Sequence, residues 1–237
     1  MEAFIVLIKL LCAHFISDFA LQTNWINKGK RKAGMTGILY QIIHAAIHGI
    51  MAYLLVAEWS CWIIPAVIFV THLIIDITKY KYIKSSLTTF LADQLCHIGV
   101  IVFLWWNLCG ADGAINFTMG IQPAEAWLTA LAYILILKPS SILLSMFLDK
   151  WNPASPSTQS LPNAGQWIGY IERILVLTFV LIGSMEGVGF LLAAKSVFRF
   201  GELNKAKEIR TTEYVLIGTL ASFAIAILTG IAVKHLS

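Results

Sequence analysis

The stretch AFIVLIKLLCAHFISDFALQTNWI, residues 3–26, decides the fold. It is apolar without alternation and long enough to cross a hydrocarbon core of ~30 Å as a helix. It also carries His14 and Asp18, four residues apart and therefore on one helix face. One acidic residue and no basic run precede it, so it reads as a helix that stays in the membrane and not as a cleaved leader.

Comparable runs follow near 35–57, 60–83, 87–109, 124–148, 165–182, 184–200 and 211–235. A bilayer core offers no water to unpaired N–H and C=O groups, which leaves only helices or closed barrels. The runs are continuous, which selects helices. The composition agrees: 58% of the 237 residues are hydrophobic, 13% are charged, and the mean hydropathy is +0.77. That is too little charge to cover a soluble surface. The expectation is an all-α, polytopic membrane helix bundle with about eight transmembrane helices. The seventh run is short and interrupted by Gly187 and Gly189, so it reads either as a full span or as a re-entrant half-helix.

Residues 1–151 form an expected five-helix membrane part, 152–164 a loop rich in Pro, Ser and Asn, and 165–237 a three-helix part, all within one integral membrane domain. Lys28, Lys30, Arg31 and Lys32 follow the first run, Lys79, Lys81 and Lys84 the third, and Arg199, Lys205, Lys207 and Arg210 the seventh. The opposite connections hold Glu58, Asp112 and Glu125 and no Lys or Arg. The positive-inside rule then places the basic connections in the cytoplasm and both termini outside. The net charge of +4 serves topology and does not indicate nucleic acid. Cys12, Cys61, Cys96 and Cys109 form no CxxC pair and read as small buried hydrophobes.

Four consecutive runs each carry a pair of side chains at i, i+4: His14 and Asp18, His44 and His48, His72 and Asp76, and Asp93 and His97. Five of the six histidines fall in this set. With alternating helix directions, all four pairs fall at one depth, in the inner half of the bilayer. A lone intramembrane histidine is usually a hydrogen-bonded structural residue. Eight such groups in one layer must pair with one another or bind something, because isolated charge in hydrocarbon is costly. Neutral imidazoles and carboxylates suit a divalent metal, zinc first, with iron and manganese taking the same donors. Eight donors exceed one tetrahedral site, so either two ions bind or some residues orient the ligands. Asp18, Asp76 and Asp93 are also the candidate general bases. Gln22 and Gln94 extend the patch. Lys79 either joins it or, the favoured reading, reaches to the interface.

A second polar group comprises Lys138, Glu172, Arg173, Lys195, Ser196, Arg199 and Glu213, with Glu186 apart from it. Pro139 should kink its helix and free a carbonyl. Lys138 needs either an internal carboxylate or a substrate anion. Together Lys138, Arg173, Lys195 and Arg199 suit a phosphate or carboxylate headgroup.

The run His14-Phe15-Ile16-Ser17-Asp18-Phe19-Ala20-Leu21-Gln22, the His72, Asp76 and Lys79 segment, and Asp93-Gln94 with His97 resemble a bacterial integral-membrane family designated domain of unknown function 3307. Gly165, Gly169, Glu172-Arg173, the segment Gly189 to Ser196, and Glu213-Tyr214 with Gly218-Thr219 resemble its longer members. The resemblance implies a bacterial cytoplasmic membrane and no particular activity.

The residues themselves lead to a membrane-embedded, metal-dependent hydrolase acting on a lipid or lipid-linked anionic substrate from the cytoplasmic side. An oxidative di-iron reaction uses the same residue types. The alternatives are a proton- or cation-coupled transporter or channel, and a structural subunit whose polar core only fixes helix packing. Metal analysis separates the first reading from the others. The sequence leaves the oligomeric state open.

Overall fold

The computed structural model describes residues 2–82, 86–109, 124–152, 163–197 and 206–237. The described residues are helical throughout, in the order α1 (Glu2–Phe15), a π-helical turn (Ile16–Leu21), α2 (Asn24–Lys30), α3 (Met35–Val56), α4 (Ile63–Tyr82), α5 (Leu87–Cys109), α6 (Ala124–Ile136), α7 (Lys138–Leu148), a 3-10 turn (Asp149–Trp151), α8 (Ala164–Leu181), α9 (Met185–Val197) and α10 (Ala206–Leu236). Among them, seven helical stretches are long and apolar enough to cross a bilayer: Ala3–Leu21, Met35–Val56, Ile63–Tyr80, Leu87–Cys109, Ala124–Trp151, Ala164–Leu181 and Arg210–Leu236. The chain is a multi-pass membrane helix bundle. The eighth expected span corresponds to α9, whose 13 described residues reach only about 20 Å at 1.5 Å per residue.

Two compact units make up the chain, residues 1–131 and 132–237, with the boundary inside α6. In the first unit, α1, α3, α4 and α5 pack together. Their buried apolar residues are Val6, Leu10 and Ala13 in the part of the first span that precedes His14, Ala52 and Val56 late in α3, Ile64 and Ile68 early in α4, and Ile101, Leu104 and Leu108 late in α5. This early–late alternation is that of helices running in alternating directions. One end of the unit is therefore a dry apolar core, and the His/Asp pairs, at the complementary ends of the same helices, share the other.

The first span differs from the single helix expected over 3–26. It continues as a π-helical turn after Phe15, ends at Gln22, and restarts as α2 once the Thr23 hydroxyl caps the amide of Ile26 at 3.4 Å. Gly29 lets α2 lie on α3, since a Cβ there would meet the Tyr40 ring at 2.4 Å. Lys30, at the end of this short helix, is thereby turned inward and is 3% exposed.

The second unit is built on α7, α8 and α10, with α9 against α8. Val176, Leu177, Val180, Phe223 and Ala226 are buried in it. Here the sequence's expected kink is a full break at Leu137 (φ −81°, ψ −114°), with Pro139 in the first turn of α7. Pro139 cannot donate to the Leu135 carbonyl, which accepts from the Ser140 hydroxyl at 2.7 Å instead.

Gly49, next to His48, faces the α4 backbone: a Cβ would lie 2.9 Å from the Pro65 carbonyl oxygen. A side chain there forces α3 away from α4 against an unyielding neighbour. Gly49→Val is expected to cost about 1–3 kcal/mol, measured as a lowered midpoint in thermal unfolding of the detergent-purified chain.

Candidate metal centre

All four i, i+4 pairs meet in the first unit. The π-helical turn places Asp18 at the middle of the cluster. Its Oδ1 is 3.0 Å from His44 Nε2, 3.2 Å from His48 Nε2 and 3.8 Å from His72 Nε2. Its Oδ2 accepts from the Gln94 amide at 2.9 Å and is 3.8 Å from His14 Nε2. Gln94 Oε1 in turn faces His14 Nε2 at 3.2 Å. His14 is thus turned toward Gln94, a partner that fixes the orientation of Asp18.

The rings crowd together. His48 stacks on His72 with centroids 3.6 Å apart, and His72 on His97 at 4.1 Å. His44, His48 and His72 are essentially inaccessible, at 0%, 1% and 3% exposure. His72 Nε2 is buried and has no hydrogen-bond partner among the described residues. A small apolar-walled cavity touches His14, His48, His72 and His97 and ends at Leu10, Ile68 and Thr71.

The donors can be tested against an ion. Asp18, His44, His48 and His72 each offer one ligand atom, all within 4.8 Å of one another. A tetrahedral ion with bonds of about 2.1 Å separates its ligand atoms by roughly 3.4 Å. The distances from Asp18 Oδ1 to the three imidazole nitrogens, 3.0, 3.2 and 3.8 Å, bracket that value. The set fits zinc, with one feature missing: Nδ1 of His44 and of His48 has no hydrogen-bond partner, so those rings lack the acceptor that commonly steadies a ligating imidazole. A second set, His72, Asp76 and His97, also lies within 4.8 Å and shares His72.

The other two carboxylates are already held by lysines. Lys30 Nζ pairs with Asp76 Oδ2 and donates to Gln22 Oε1 at 3.0 Å. Asp76 Oδ2 is also 3.8 Å from His72 Nε2 and 4.0 Å from His44 Nε2. Lys79 Nζ pairs with Asp93 Oδ2 at 2.5 Å, while Asp93 Oδ1 is 3.7 Å from His97. Lys79 therefore joins the centre, although its side chain stays 32% exposed. Lys30 was assigned to a basic connection by the sequence reading, which missed its role. The readable signal was Thr23, a helix cap that starts α2 and turns its last residue inward.

The residues singled out in the second unit take up protein partners. Arg173, 2% exposed, donates to the carbonyls of Ile136 and Leu137 and to the hydroxyls of Ser141 and Ser222. The Leu137 carbonyl also accepts from the Ser141 amide at 3.1 Å, so Arg173 chiefly caps the Ile136 carbonyl at the end of α6. Lys195 pairs with Glu172 at 2.6 Å. Lys138, at the first residue of α7, is half-buried and pairs with no carboxylate among the described residues. Arg199 lies outside the described residues. The expected headgroup clasp of Lys138, Arg173, Lys195 and Arg199 is therefore not assembled from free cations: two of the four are committed elsewhere.

Residues 6–122 match the model of a family described as "Protein of unknown function (DUF3307)". That span holds every member of the His/Asp cluster. No curated protein and no solved structure matches the chain.

Removing Arg173 takes a donor from the Ile136 carbonyl and from the Ser141 and Ser222 hydroxyls, and a buried polar group left unsatisfied costs about 1–3 kcal/mol. Arg173→Ala is expected to lower unfolding stability in detergent by at least about 2 kcal/mol. An unchanged unfolding midpoint would show that the side chain does not hold the break together.

Proposed function

Starting from the match of residues 6–122 to the DUF3307 family model, a name that assigns no activity, we propose that the protein is a membrane-embedded metal-dependent hydrolase acting on a lipid or lipid-linked anionic substrate. The observation that carries this reading is the convergence of Asp18, His44, His48 and His72 at spacings suited to a divalent ion. Zinc is the first choice for three nitrogens and one oxygen, with iron or manganese as the alternatives.

Such an ion lowers the pKa of a bound water toward neutrality and supplies hydroxide. The chain's own residues do the rest. Gln94 and His14 orient Asp18. Asp76, the carboxylate outside the ligand set that lies within 4.0 Å of His44 and His72, is the proton acceptor. Lys30 steadies its charge. The substrate arrives where Asp18 retains 12% and Lys79, paired with Asp93, 32% side-chain exposure. The basic residues of the connections favour the cytoplasmic side of a bacterial inner membrane, and both termini lie outside when α9 completes the eighth crossing.

A proton- or cation-coupled transporter is the second reading. The buried Lys30–Asp76 pair favours it, since intramembrane ion pairs are parts of proton relays. Against it, the described core beyond the histidines is apolar from Val6 to Leu108 apart from one buried cation, Lys9, which lies 5.0 Å from the Trp127 ring. A conduction path needs polar residues along its whole length.

The test screens the purified, detergent-solubilised chain against phospholipids and lipid-linked phosphates and amides. Turnover should fall at least about 100-fold after chelation, return with zinc, and stay lost in Asp18→Asn and His44→Ala. Turnover that persists in metal-free protein would remove the reading. Ion flux in proteoliposomes that survives loss of His44 and His72 would favour the transporter.

A further inference from the structure

Three carboxylates stand in this centre, Asp76 and Asp93 buried and Asp18 with 12% of its side chain exposed, and they are not equivalent. Asp76 has the ammonium of Lys30, and Asp93 has that of Lys79. Among the described residues no lysine or arginine pairs with Asp18. Its oxygens meet only His44, His48, His72, His14 and Gln94. A buried carboxylate without a countercharge is strongly disfavoured. The cluster thus provides two of its three countercharges from within and lacks one, and the place lacking it is where the donor spacings suit an ion.

The second candidate set differs on the same ground. Its carboxylate oxygen nearest the imidazoles, Asp76 Oδ2, is the oxygen that Lys30 holds. Lys30 is fixed from three sides, by Asp76, by Gln22 Oε1 at 3.0 Å and by the Tyr80 ring 5.3 Å away. A divalent ion bound to that oxygen would lie against a buried ammonium. The two sets also compete for His72, a residue 3% exposed whose buried Nε2 has no hydrogen-bond partner among the described residues.

Resting on the metal-centre reading above, we propose that the centre takes a single divalent cation, on Asp18, His44, His48 and His72, and that the Lys30 ammonium stands in the place of a second one on Asp76. Lys30 is a built-in cation that sets the metal count at one. Gln22, at the end of the π-helical turn, and Gly29, whose missing side chain lets α2 approach Tyr40, put it there.

The experiment is metal counting on the full chain in detergent. The protein is stripped with chelator, loaded with zinc alone, freed of excess by gel filtration and measured by elemental analysis. The wild type should bind one zinc per chain. Lys30→Met keeps the length of the side chain and removes its charge, so Asp76 should recruit a second zinc and the count should rise to two. The double variant Lys30→Met/Asp76→Asn removes both charges, guards against a misfolded single variant, and should return to one. Asp18→Asn should lose the first ion.

A wild type with two ions would overturn the single-ion assignment and leave the metal centre standing. A Lys30→Met count that stays at one would overturn the role of Lys30. A single ion lost in the double variant but kept in Asp18→Asn would place it on Asp76 and overturn the assignment. A wild type that binds none would overturn the metal centre itself, and this proposal with it.

Discussion

A carboxylate inside a membrane bundle must be neutralised, and this requirement organises the first unit. Moving such an ion out of water costs several kcal/mol even after relaxation. The chain carries three of them within four packed helices. Lys30 and Lys79 answer two. The histidines and Gln94 gather around the third. Elements that look incidental in the sequence follow from this arrangement. The helix α2 exists to turn a lysine back into the bundle, and the π-helical turn lets Asp18 offer one oxygen to His44 and His48 and the other to Gln94.

The polar end needs a rigid frame, and the other end of the same helices supplies it. Val6, Leu10, Ile64, Ile68, Ile101 and Leu104 pack as a dry layer on one side of the histidines. In lipid, apolar packing between helices gains little from leaving water, so close approach and polar contacts hold helices together. Gly49 against the Pro65 carbonyl supplies the close approach between α3 and α4. The charged cluster supplies the specific contacts. The centre is thus part of what holds the four helices in register as well as a candidate site.

The helices and the pairing of residues within each were legible because both rest on short-range periodicity. A run of apolar residues gives the span, and i, i+4 gives a shared face. The convergence of His14, His44, His72 and His97 followed once alternating directions were applied. The lysine partners were not legible, since a basic residue beside a helix end reads equally as a topological charge. Lys30 reaches Asp76 only because Thr23 restarts the helix and Gly29 permits its docking. Arg173 poses the same difficulty in the second unit. The break at Pro139 could be read from sequence, but the side chain that answers the Ile136 carbonyl comes from 37 residues away. The cations expected to hold a headgroup were credible as a set only while their intramolecular partners were unseen.

The two units use one physical solution in opposite senses. In the second, a broken helix leaves the Ile136 carbonyl to a buried guanidinium, which also donates to the Ser141 and Ser222 hydroxyls. In the first, side-chain anions create the need. Lysines can meet it where a helix end lies nearby, as at Lys30 and Lys79. Asp18 lies among ring nitrogens, where no described lysine or arginine reaches. Imidazoles can carry a proton or bind an ion, but three buried rings around a single oxygen cannot all be charged without repelling one another. One divalent ion shared among them removes that repulsion and the unpaired carboxylate together. This is why the arrangement argues for an ion more strongly than any of its distances does alone.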